Sequence, residues 1–459
     1  MPYPTLPDDF VLGTATASYQ IEGAVAEDGR GPSIWDTFAR VPGAISDGTN
    51  GDVADDHYHR YAEDIALMAE LGFDAYRFSI AWPRVVPQGT GAVNQAGLDF
   101  YRRVAETCRE HGVTPWATLY HWDLPQPLED AGGWLSRETA EAFAAYAALT
   151  QDALGDVVEH WITLNEPWCS AMLGYASGDH APGGQLGTDA LKAAHHLLLG
   201  HGLAVQRMRA GRHAATIGIT LNLYSVRPAS ASDADAEAAR RTDGIGNRLF
   251  LDPVLQGRYP ADVLADTGLT DWFAEQADDL AVIAAPLDFV GVNYYSRHTA
   301  AAPADGVFAD PAVPSASPGS ERVEMVDTGA DKTFMGWEVH PDGLVDVVAM
   351  VAERAPGVPV YITENGAAYD DEVSADGTVE DEDRRRFLEQ HLAACADAVA
   401  AGLPLRGYFA WSFLDNYEWA FGLSRRFGIV RVDYETQERT VKRSGRWFGE
   451  LLAARGRSA

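Results

Sequence analysis

Eight short runs of residues typical of buried β-strands recur along the chain, and alanine-rich segments with helical spacing separate most of them. Strands that alternate with helices predict crossover connections and a parallel sheet. Eight such units fit a (β/α)8 TIM barrel better than a doubly wound sheet. The count alone leaves the doubly wound fold open, but no glycine-rich phosphate turn follows the first run. The runs lie at residues 10–18, 73–80, 114–120, 161–166, 216–222, 287–295, 358–364 and 405–413.

The length of the chain is compatible with one domain. It has 459 residues, and single α/β barrels with insertions exceed the usual domain size, so we predict one domain over residues 1–459. Since a barrel builds its site from the loops that follow its strands, long loops there predict an elaborated site. Long connections follow predicted strands at residues 29–56, 300–333 and 415–428. Helices are expected at residues 58–70, 94–111, 137–154, 188–210 and 384–401, and an exposed acidic loop at residues 370–383.

Acidic side chains outnumber basic ones, 67 against 35, and the formal net charge is −32. Nucleic acids and anionic membranes repel such a chain, so we expect neither as a partner. An anionic substrate is disfavoured for the same reason unless a local basic pocket overrides the net charge. A well-solvated surface is the simplest use of the excess acid.

Targeting signals and metal motifs are not found in the sequence. The first ten residues have no basic region and no apolar core, so they do not resemble a secretory signal. No apolar stretch is long enough to span a membrane. The sparse cysteines form no CxxC pair, and the close histidine pairs lack further ligands, so we expect a cytoplasmic protein with no metal. The three cysteines are Cys108, Cys169 and Cys395.

Two strand-like runs end in an acid. Residues 161–164 read Trp-Ile-Thr-Leu and lead into Asn165, Glu166 and a proline. Because the residue before proline is driven away from helical geometry, Glu166 should sit at the carboxyl end of its strand. Residues 359–363 lead in the same way into Glu364. An acid at the end of a buried strand is costly to desolvate, so the pair predicts a functional role.

Other polar and aromatic residues fall at or just after the carboxyl ends of predicted strands. In a closed parallel barrel these ends open onto one face. Amides, a histidine and a carboxyl group suit the hydroxyls of a sugar, and indole rings suit its apolar faces. The residues are Gln20, His121, Asn165, Glu166, Asn293, Tyr295, Glu364, Trp411, Glu418 and Trp419. We therefore predict a site that binds a neutral sugar and cleaves its glycosidic bond between two carboxyl groups.

Three motifs resemble signatures of glycoside hydrolase family 1, the β-glucosidase family. Residues 10–23 read FVLGTATASYQIEG and are similar to its amino-terminal signature. Residues 163–167 read TLNEP and resemble its acid/base motif, and residues 362–366 read ITENG and resemble its nucleophile motif. The resemblance covers essentially the whole chain. It implies a retaining β-glucosidase on a (β/α)8 barrel that needs no cofactor and acts on small neutral β-glycosides or oligosaccharides.

The resemblance also assigns roles. It implies that Glu364 is the nucleophile and that Glu166 is first the general acid and then the general base. Arg77 and Tyr295 would favour the ionised form of Glu364, and Asn293 would support Glu166. The non-reducing sugar would be bound by Gln20, His121, Asn165, Glu418 and Trp419, with Trp411 beneath its ring. Trp168 and Trp337 would line the leaving-group side, with Cys169, Leu173 and His180 as further candidates.

These roles lead to physical expectations. Burial and the charge of Glu364 should raise the pKa of Glu166. For a retaining mechanism we expect the two carboxyl groups to lie about 5–5.5 Å apart. Thioglucosidase relatives carry Gln where this chain has Glu166, so ordinary O-glycosides are expected as substrates. Phospho-sugar relatives lack the Glu418-Trp419 pair, so a neutral sugar is expected here.

Alternatives of substrate and of class stay open. A β-galactosidase or β-fucosidase differs from a β-glucosidase by small shifts around Gln20 and Glu418. A transglycosidase of the same family would pass the sugar to an acceptor other than water. A non-catalytic sugar-binding barrel would use the same amides and aromatic rings, but it has no use for an acid of raised pKa. Oligomeric state and aglycone preference are not set by the sequence.

Overall fold

A computed structural model of the chain describes residues 3–456. Within that range eight parallel strands close into a barrel, each strand pairing with its neighbours in sequence and the eighth closing against the first. The strands are β1 (Val11–Ala15), β2 (Ala75–Ser79), β3 (Thr114–Tyr120), β4 (His160–Asn165), β5 (Thr216–Asn222), β6 (Phe289–Asn293), β7 (Val360–Asn365) and β8 (Leu405–Trp411). The predicted (β/α)8 barrel is confirmed, and the doubly wound alternative is excluded.

Helices connect the strands on the outside of the barrel. Glycines with φ of +73° and +80° follow two of them, Gly112 after Gln95–Glu110 and Gly402 after Glu382–Ala400. A residue without a side chain adopts this left-handed conformation readily, which ends the helix and returns the chain to the next strand. The five predicted helices are present as His57–Glu70, Gln95–Glu110, Arg137–Leu154, Ala190–Arg209 and Glu382–Ala400. Further helices are Asp233–Asp243, Leu249–Gln256, Ala261–Thr267, Thr270–Glu275, Asp342–Arg354 and Arg443–Ala454.

Aromatic side chains fill the amino-terminal half of the barrel interior. The ring of Trp116 lies 5.0–5.2 Å, centroid to centroid, from the rings of Phe289, Tyr361 and Phe409. Each contact is edge-on, a favourable arrangement for aromatic pairs. Because this end is packed with side chains, we expect a ligand to enter the interior at the carboxyl-terminal ends of the strands.

The long loops carry secondary structure of their own. The connections after β5 and β6 form a three-stranded sheet from Ser225–Pro228, Arg297–Ala301 and Glu324–Met325. The chain after β8 forms a hairpin from Val430–Val432 and Arg439–Val441. The elaborated loops therefore rise above the mouth of the barrel, as predicted for a site at this face.

A buried ionic network joins the loops after β7 and β8. The ammonium of Lys442 lies 2.5 Å from Asp371 and 2.6 Å from Asp415, and Arg384 lies 2.9 Å from Asp371. All four side chains are almost inaccessible to solvent. The expectation that residues 370–383 form an exposed loop is wrong for Asp371 and Asp381, whose carboxyl groups pair with buried cations. It is also wrong for the last two residues, which begin the helix Glu382–Ala400.

The described range was also searched for membrane spans and metal clusters. Between residues 3 and 456, no helix has both the length and the apolar character that crossing a bilayer requires. In the same stretch of chain, no group of three or more His, Cys, Asp or Glu side chains is arranged to hold a metal ion. His195 instead lies 3.1 Å from Asp279, and His196 lies 3.0 Å from the carbonyl of Trp134.

Candidate active site

A cavity of about 680 Å³ opens at the carboxyl-terminal end of the barrel. Two other depressions, of about 650 and 840 Å³, lie at the opposite end and contain none of the predicted strand-end residues. Thirteen of the predicted site residues line the cavity: His121, Glu166, Trp168, Cys169, Leu173, His180, Asn293, Tyr295, Trp337, Glu364, Trp411, Glu418 and Trp419. Gln20, Arg77 and Asn165 are buried behind this lining.

Glu364 lies at the end of β7 and is paired with a buried cation. Nη1 of Arg77, from β2, lies 2.5 Å from Oε1 of Glu364, and both side chains are buried. The hydroxyl of Tyr295 donates a hydrogen bond of 2.7 Å to Oε2. Burial raises the pKa of Glu364, while the charge of Arg77 and the hydrogen bonds from Arg77 and Tyr295 oppose that rise. A carboxylate held between a cation and a hydroxyl is suited to act as a nucleophile.

Glu166 follows directly on β4 and has the left-handed φ of +45°. Its Oε1 accepts a hydrogen bond of 2.5 Å from Nδ2 of Asn293, and its Oε2 accepts one of 3.0 Å from the thiol of Cys169. Burial and, after it, the charge of Glu364 raise the pKa of Glu166 to about 7. A carboxyl group that holds its proton near neutrality can act as a general acid.

An ordered polar chain sets the orientation of the amides behind the two acids. Nη2 of Arg77 donates to Oδ1 of Asn165 over 2.6 Å, and Nδ2 of Asn293 donates to the same oxygen over 3.0 Å. Because a guanidinium can only donate, the atom of Asn165 that faces it must be the oxygen, and the atom of Asn293 that meets that oxygen must be the nitrogen. The amide of Asn293 therefore presents an N–H, not a carbonyl, to Glu166.

The same argument gives the protonation of His121. Nδ2 of Asn165 lies 3.0 Å from Nε2 of His121, and an amide nitrogen donates, so Nε2 accepts and the ring proton sits on Nδ1. Burial and then the charge of Arg77 lower the pKa of His121 well below its usual value, so the ring is neutral. Among residues 3–456, Nδ1 has no hydrogen-bond partner. His121 thus offers one N–H donor to a ligand.

Glu418 is a third carboxyl group in the cavity; the side chain is half-buried and its Oε2 is shielded from solvent. Burial, followed by the charges of Glu364 and Glu166, raises the pKa of Glu418 to about 8. Its Oε2 and Oε1 of Gln20 are buried polar atoms without a partner in the described part of the chain. Buried polar atoms are normally hydrogen-bonded, so these two, like Nδ1 of His121, are suited to sugar hydroxyls. Nε2 of Gln20 is held by Oδ1 of Asn416, at 3.0 Å.

Indole rings form the apolar walls. The rings of Trp411 and Trp419 both lie nearly parallel to the ring of His121, at 5.9 Å and angles of 19° and 20°. On another wall, Trp337 lies 5.4 Å from Tyr295. Flat apolar surfaces of this kind pack against the C–H faces of a pyranose ring.

Several lining residues were not predicted from the sequence. They are Trp122, Asn222, Tyr224, His298, Met335 and Phe427. Asn222 is the last residue of β5 and Trp122 follows β3, so the strand-end rule that identified His121 also applies to them. Tyr224 and His298 stack at 4.1 Å across two loops, a contact for which the sequence carries no signal.

The two carboxyl groups share one environment. Glu166 and Glu364 line the same cavity, neither faces bulk solvent, and the charge of one raises the pKa of the other. Their separation of 5–5.5 Å stays a prediction. A closed parallel barrel with such a coupled pair of buried acids at its mouth defines a glycoside hydrolase.

The chain belongs to glycosyl hydrolase family 1. The model of that family, described as Glycosyl hydrolase family 1, matches residues 3–457. The predicted family and the predicted enzyme class are therefore confirmed.

Characterised relatives and solved structures agree with this assignment. A bifunctional β-D-glucosidase/β-D-fucosidase from Bifidobacterium breve is 48% identical over 97% of this chain and 98% of its own. β-Glucosidase A from Acetivibrio thermocellus is 46% identical over 98% of this chain and 99% of its own. The crystal structure of the psychrophilic β-glucosidase BglU from Micrococcus antarcticus matches with a TM-score of 0.94 at 48% identity, covering 99% of this chain and 100% of that one.

Proposed function

We propose that this chain is a retaining β-glucosidase that removes the terminal non-reducing β-D-glucosyl residue from small glucosides and short oligosaccharides. The observation that carries the proposal is the contrast between two buried acids in one cavity. The guanidinium of Arg77 opposes the rise that burial causes in the pKa of Glu364, whereas the pKa of Glu166 is raised to about 7. The relatives named as β-glucosidases support the choice of glucose.

In the first step, Glu364 attacks the anomeric carbon and forms an ester bond to it. The bond from that carbon to the glycosidic oxygen breaks, and Glu166 gives its proton to the departing oxygen. Glucose is then held covalently on Glu364. Arg77 favours the carboxylate that this attack requires, because its charge lies 2.5 Å from the reacting group.

In the second step, water releases the sugar. Once Glu364 is esterified its negative charge is gone, and one cause of the raised pKa of Glu166 disappears with it. Glu166, now ionised, takes a proton from water while the water oxygen bonds to the anomeric carbon. The ester bond breaks, Glu364 is again a carboxylate, and two inversions give net retention.

The remaining predicted residues bind the sugar in this proposal. His121 donates to a hydroxyl through Nδ1, and Gln20 and Glu418 use their unpartnered oxygens. Asn165 orients the acid and the sugar, and Trp411 and Trp419 cover the ring. Burial raises the pKa of Glu418 to about 8, and this side chain offers a 6-phosphate no positive charge at any pH. We still propose a neutral sugar.

The leaving group lies toward the outer aromatic wall. Trp168 is half-buried and packs edge-on against Tyr224 at 6.0 Å, and Trp337 stands beside Tyr295. Cys169 and Leu173 lie near Trp168. His180 packs against Trp122 at 5.4 Å, and we assign it to the leaving-group side with them.

A second candidate activity is β-fucosidase, because the Bifidobacterium breve relative combines it with β-glucosidase. D-Fucose lacks the 6-hydroxyl and has the opposite configuration at C4, so Gln20 and Glu418 would decide between the two sugars. β-Galactosidase and transglycosidase activities belong to the same chemistry. We place the reaction in the cytoplasm and in the breakdown of cellulose-derived oligosaccharides such as cellobiose.

The test is a panel of nitrophenyl β-glycosides and cellobiose. Wild type should cleave the β-glucoside with retention, seen as β-glucose first in NMR spectra. Glu166→Ala should lose cellobiose hydrolysis by at least about 10³-fold but keep part of its activity on an activated leaving group. Glu364→Gly should be inactive and rescued by azide, which forms α-glucosyl azide. Glu159→Gln, an exposed acid just before β4, serves as the control.

The panel also separates the rival proposals. A sugar-binding barrel would bind glucosides without turnover, and Glu364→Gly would leave that binding unchanged. A transglycosidase would release more nitrophenol than glucose when an acceptor alcohol is added. Higher kcat/KM on the fucoside or galactoside than on the glucoside would move the assignment to those activities.

A further inference from the structure

A cysteine is locked against the acid Glu166 by the turn that follows β4. The amide of Cys169 donates to the carbonyl of Glu166 over 2.9 Å, closing the turn. The same residue begins the π-helical segment Cys169–Ser177. Its thiol therefore returns to the side chain three residues earlier, where Sγ lies 3.0 Å from Oε2 of Glu166. The backbone bond fixes the relation between the two side chains.

The thiol stays protonated in this position. Burial first, and then the charge of Glu166, raises the pKa of Cys169 well above its usual value. An S–H is a weak donor, but an ionised carboxylate strengthens any hydrogen bond that it accepts. Cys169 is 7% exposed and lines the cavity, so it faces the reacting part of the molecule and not the packed core.

The oxygen that Cys169 contacts is the one that carries the catalytic proton. Oε1 of Glu166 accepts an N–H from Asn293, whose orientation is set through Asn165 by Arg77. The N–H of Asn293 can only donate, so Oε1 cannot carry a proton on the side that faces Asn293. The thiol beside Oε2 can instead turn its S–H away and accept a hydrogen bond, so we assign the acidic proton of Glu166 to Oε2.

We propose that Cys169 is a positioning residue for the proton cycle of Glu166, donating its S–H to Oε2 when that oxygen is ionised and releasing it when Oε2 is protonated. This inference rests on the proposed acid/base role of Glu166. When the proton of Oε2 passes to the glycosidic oxygen, the S–H turns to Oε2. When Oε2 later takes a proton from water, that hydrogen bond breaks. The thiol neither gains nor loses an atom.

Other charged and titratable groups also act on Glu166. Glu364 opposes its ionisation and Arg77 favours it. Glu418, Tyr224 and Tyr295 face it from the loops after β8, β5 and β6. Among these, the charge of Glu364 disappears in the glycosyl-enzyme. The hydrogen bond from Cys169 is then formed when the base is needed, so its effect should be largest in deglycosylation.

The experiment compares pH profiles of Cys169→Ala and Cys169→Ser with wild type. The profile of kcat/KM is measured on cellobiose, whose leaving group needs the acid. Loss of the donor should move the alkaline limb of Cys169→Ala up by about 0.4–1 pH unit, because a net hydrogen bond of about 0.5–1.5 kcal/mol lowers that pKa in wild type. A hydroxyl donates more strongly, so Cys169→Ser should keep the wild-type limb or move it down.

Deglycosylation provides a second readout. On dinitrophenyl β-glucoside, which leaves without protonation, kcat reports deglycosylation, and its acidic limb should move up by about 0.4–1 pH unit in Cys169→Ala and return in Cys169→Ser, because ionised Glu166 loses a donor. The control is Cys395→Ala, which removes a buried thiol from the helix Glu382–Ala400. It should leave both limbs unchanged.

Each result has a fixed meaning. Identical alkaline limbs in wild type, Cys169→Ala and Cys169→Ser overturn the inference, and so does a shift of equal sign in both variants. If Cys169→Ala does not fold, the signs of the two Cys169→Ser shifts decide alone, and an upward shift of either limb overturns the proposal. Equal cellobiose hydrolysis by wild type and Glu166→Ala would instead refute the proposed function.

Discussion

The guanidinium of Arg77 makes an ion pair of 2.5 Å with the carboxyl group of Glu364, and both partners are buried in the barrel. The second arm of the same guanidinium holds Asn165 at 2.6 Å. One side chain on β2 thus connects the end of β7 to the end of β4. Because Asn165 in turn orients Asn293, the environments of both acids depend on Arg77.

Arg77→Met should abolish hydrolysis. It leaves Glu364 buried without its counter-ion, a change that costs about 3–5 kcal/mol, and it raises the pKa of this proposed nucleophile. We expect kcat/KM to fall by at least about 10³-fold in enzyme that is still folded. Arg84→Met is the matched control, since Arg84 is equally buried and pairs with Glu22 at 3.0 Å outside the cavity. It should lower the melting temperature similarly while the folded fraction keeps its kcat. Equal losses of kcat in the two variants would contradict this role of Arg77.

Tyr295→Phe should shift the acidic limb of the pH profile. The hydroxyl of Tyr295 donates to Glu364 over 2.7 Å and lowers the pKa of that carboxyl group. Its removal raises that pKa, so a higher pH is needed to ionise the nucleophile and the limb of kcat/KM moves up by about 0.5–1 unit. The adjacent Tyr294 donates to the carbonyl of His340 at 2.7 Å. Tyr294→Phe should therefore leave the acidic limb in place, and a shared shift would count against the prediction.

The barrel could be predicted because each of its strands is a short β-branched or aromatic run between helical segments. β3 and β5 were predicted to the residue, and the other strands differ only at their ends. The site followed from the same rule, because the carboxyl ends of parallel strands meet at one face whatever the loops do. Trp168 and Trp337 were located through the resemblance to the family and not through that rule.

Contacts between loops could not be predicted. The stacking of Tyr224 on His298 and the thiol contact of Cys169 depend on how separate loops or turns fold back, and side-chain periodicity carries no information about either. The burial of Asp371 was missed for a similar reason. Its partners Arg384 and Lys442 lie 13 and 71 residues further along the chain. A run of acids looks solvated until its counter-ions are located.

Lys442→Met should destabilise the protein strongly. The ammonium lies between two buried carboxylates, Asp371 and Asp415, and its removal leaves both with less compensation. Breaking a buried pair costs about 3–5 kcal/mol. Asp415 opens the loop that carries Glu418, so KM for the glucoside should also rise. The control Lys332→Met breaks an exposed pair with Asp327, which solvent screens, and should leave the stability nearly unchanged. If Lys442→Met has the stability of wild type, the ionic network does not stabilise the fold.

Glu418→Gln should lower the activity of the enzyme and raise its stability at alkaline pH. Burial raises the pKa of Glu418 to about 8, above that of an unfolded glutamate, so the folded state binds its proton more tightly. The stability that this proton confers is complete below about pH 4 and is lost as the pH rises to about 8.

The glutamine of the Glu418→Gln variant has no such proton to lose. The variant should therefore melt close to wild type at pH 5 and be more stable by about 1–3 kcal/mol at pH 9. Its kcat/KM for the glucoside should fall, because the substitution replaces an oxygen for which we propose a contact with a sugar hydroxyl. Glu353→Gln, at an exposed helical position, should show neither effect. A stability difference between Glu418→Gln and wild type that is the same at pH 5 and pH 9 would show that Glu418 does not titrate in this range.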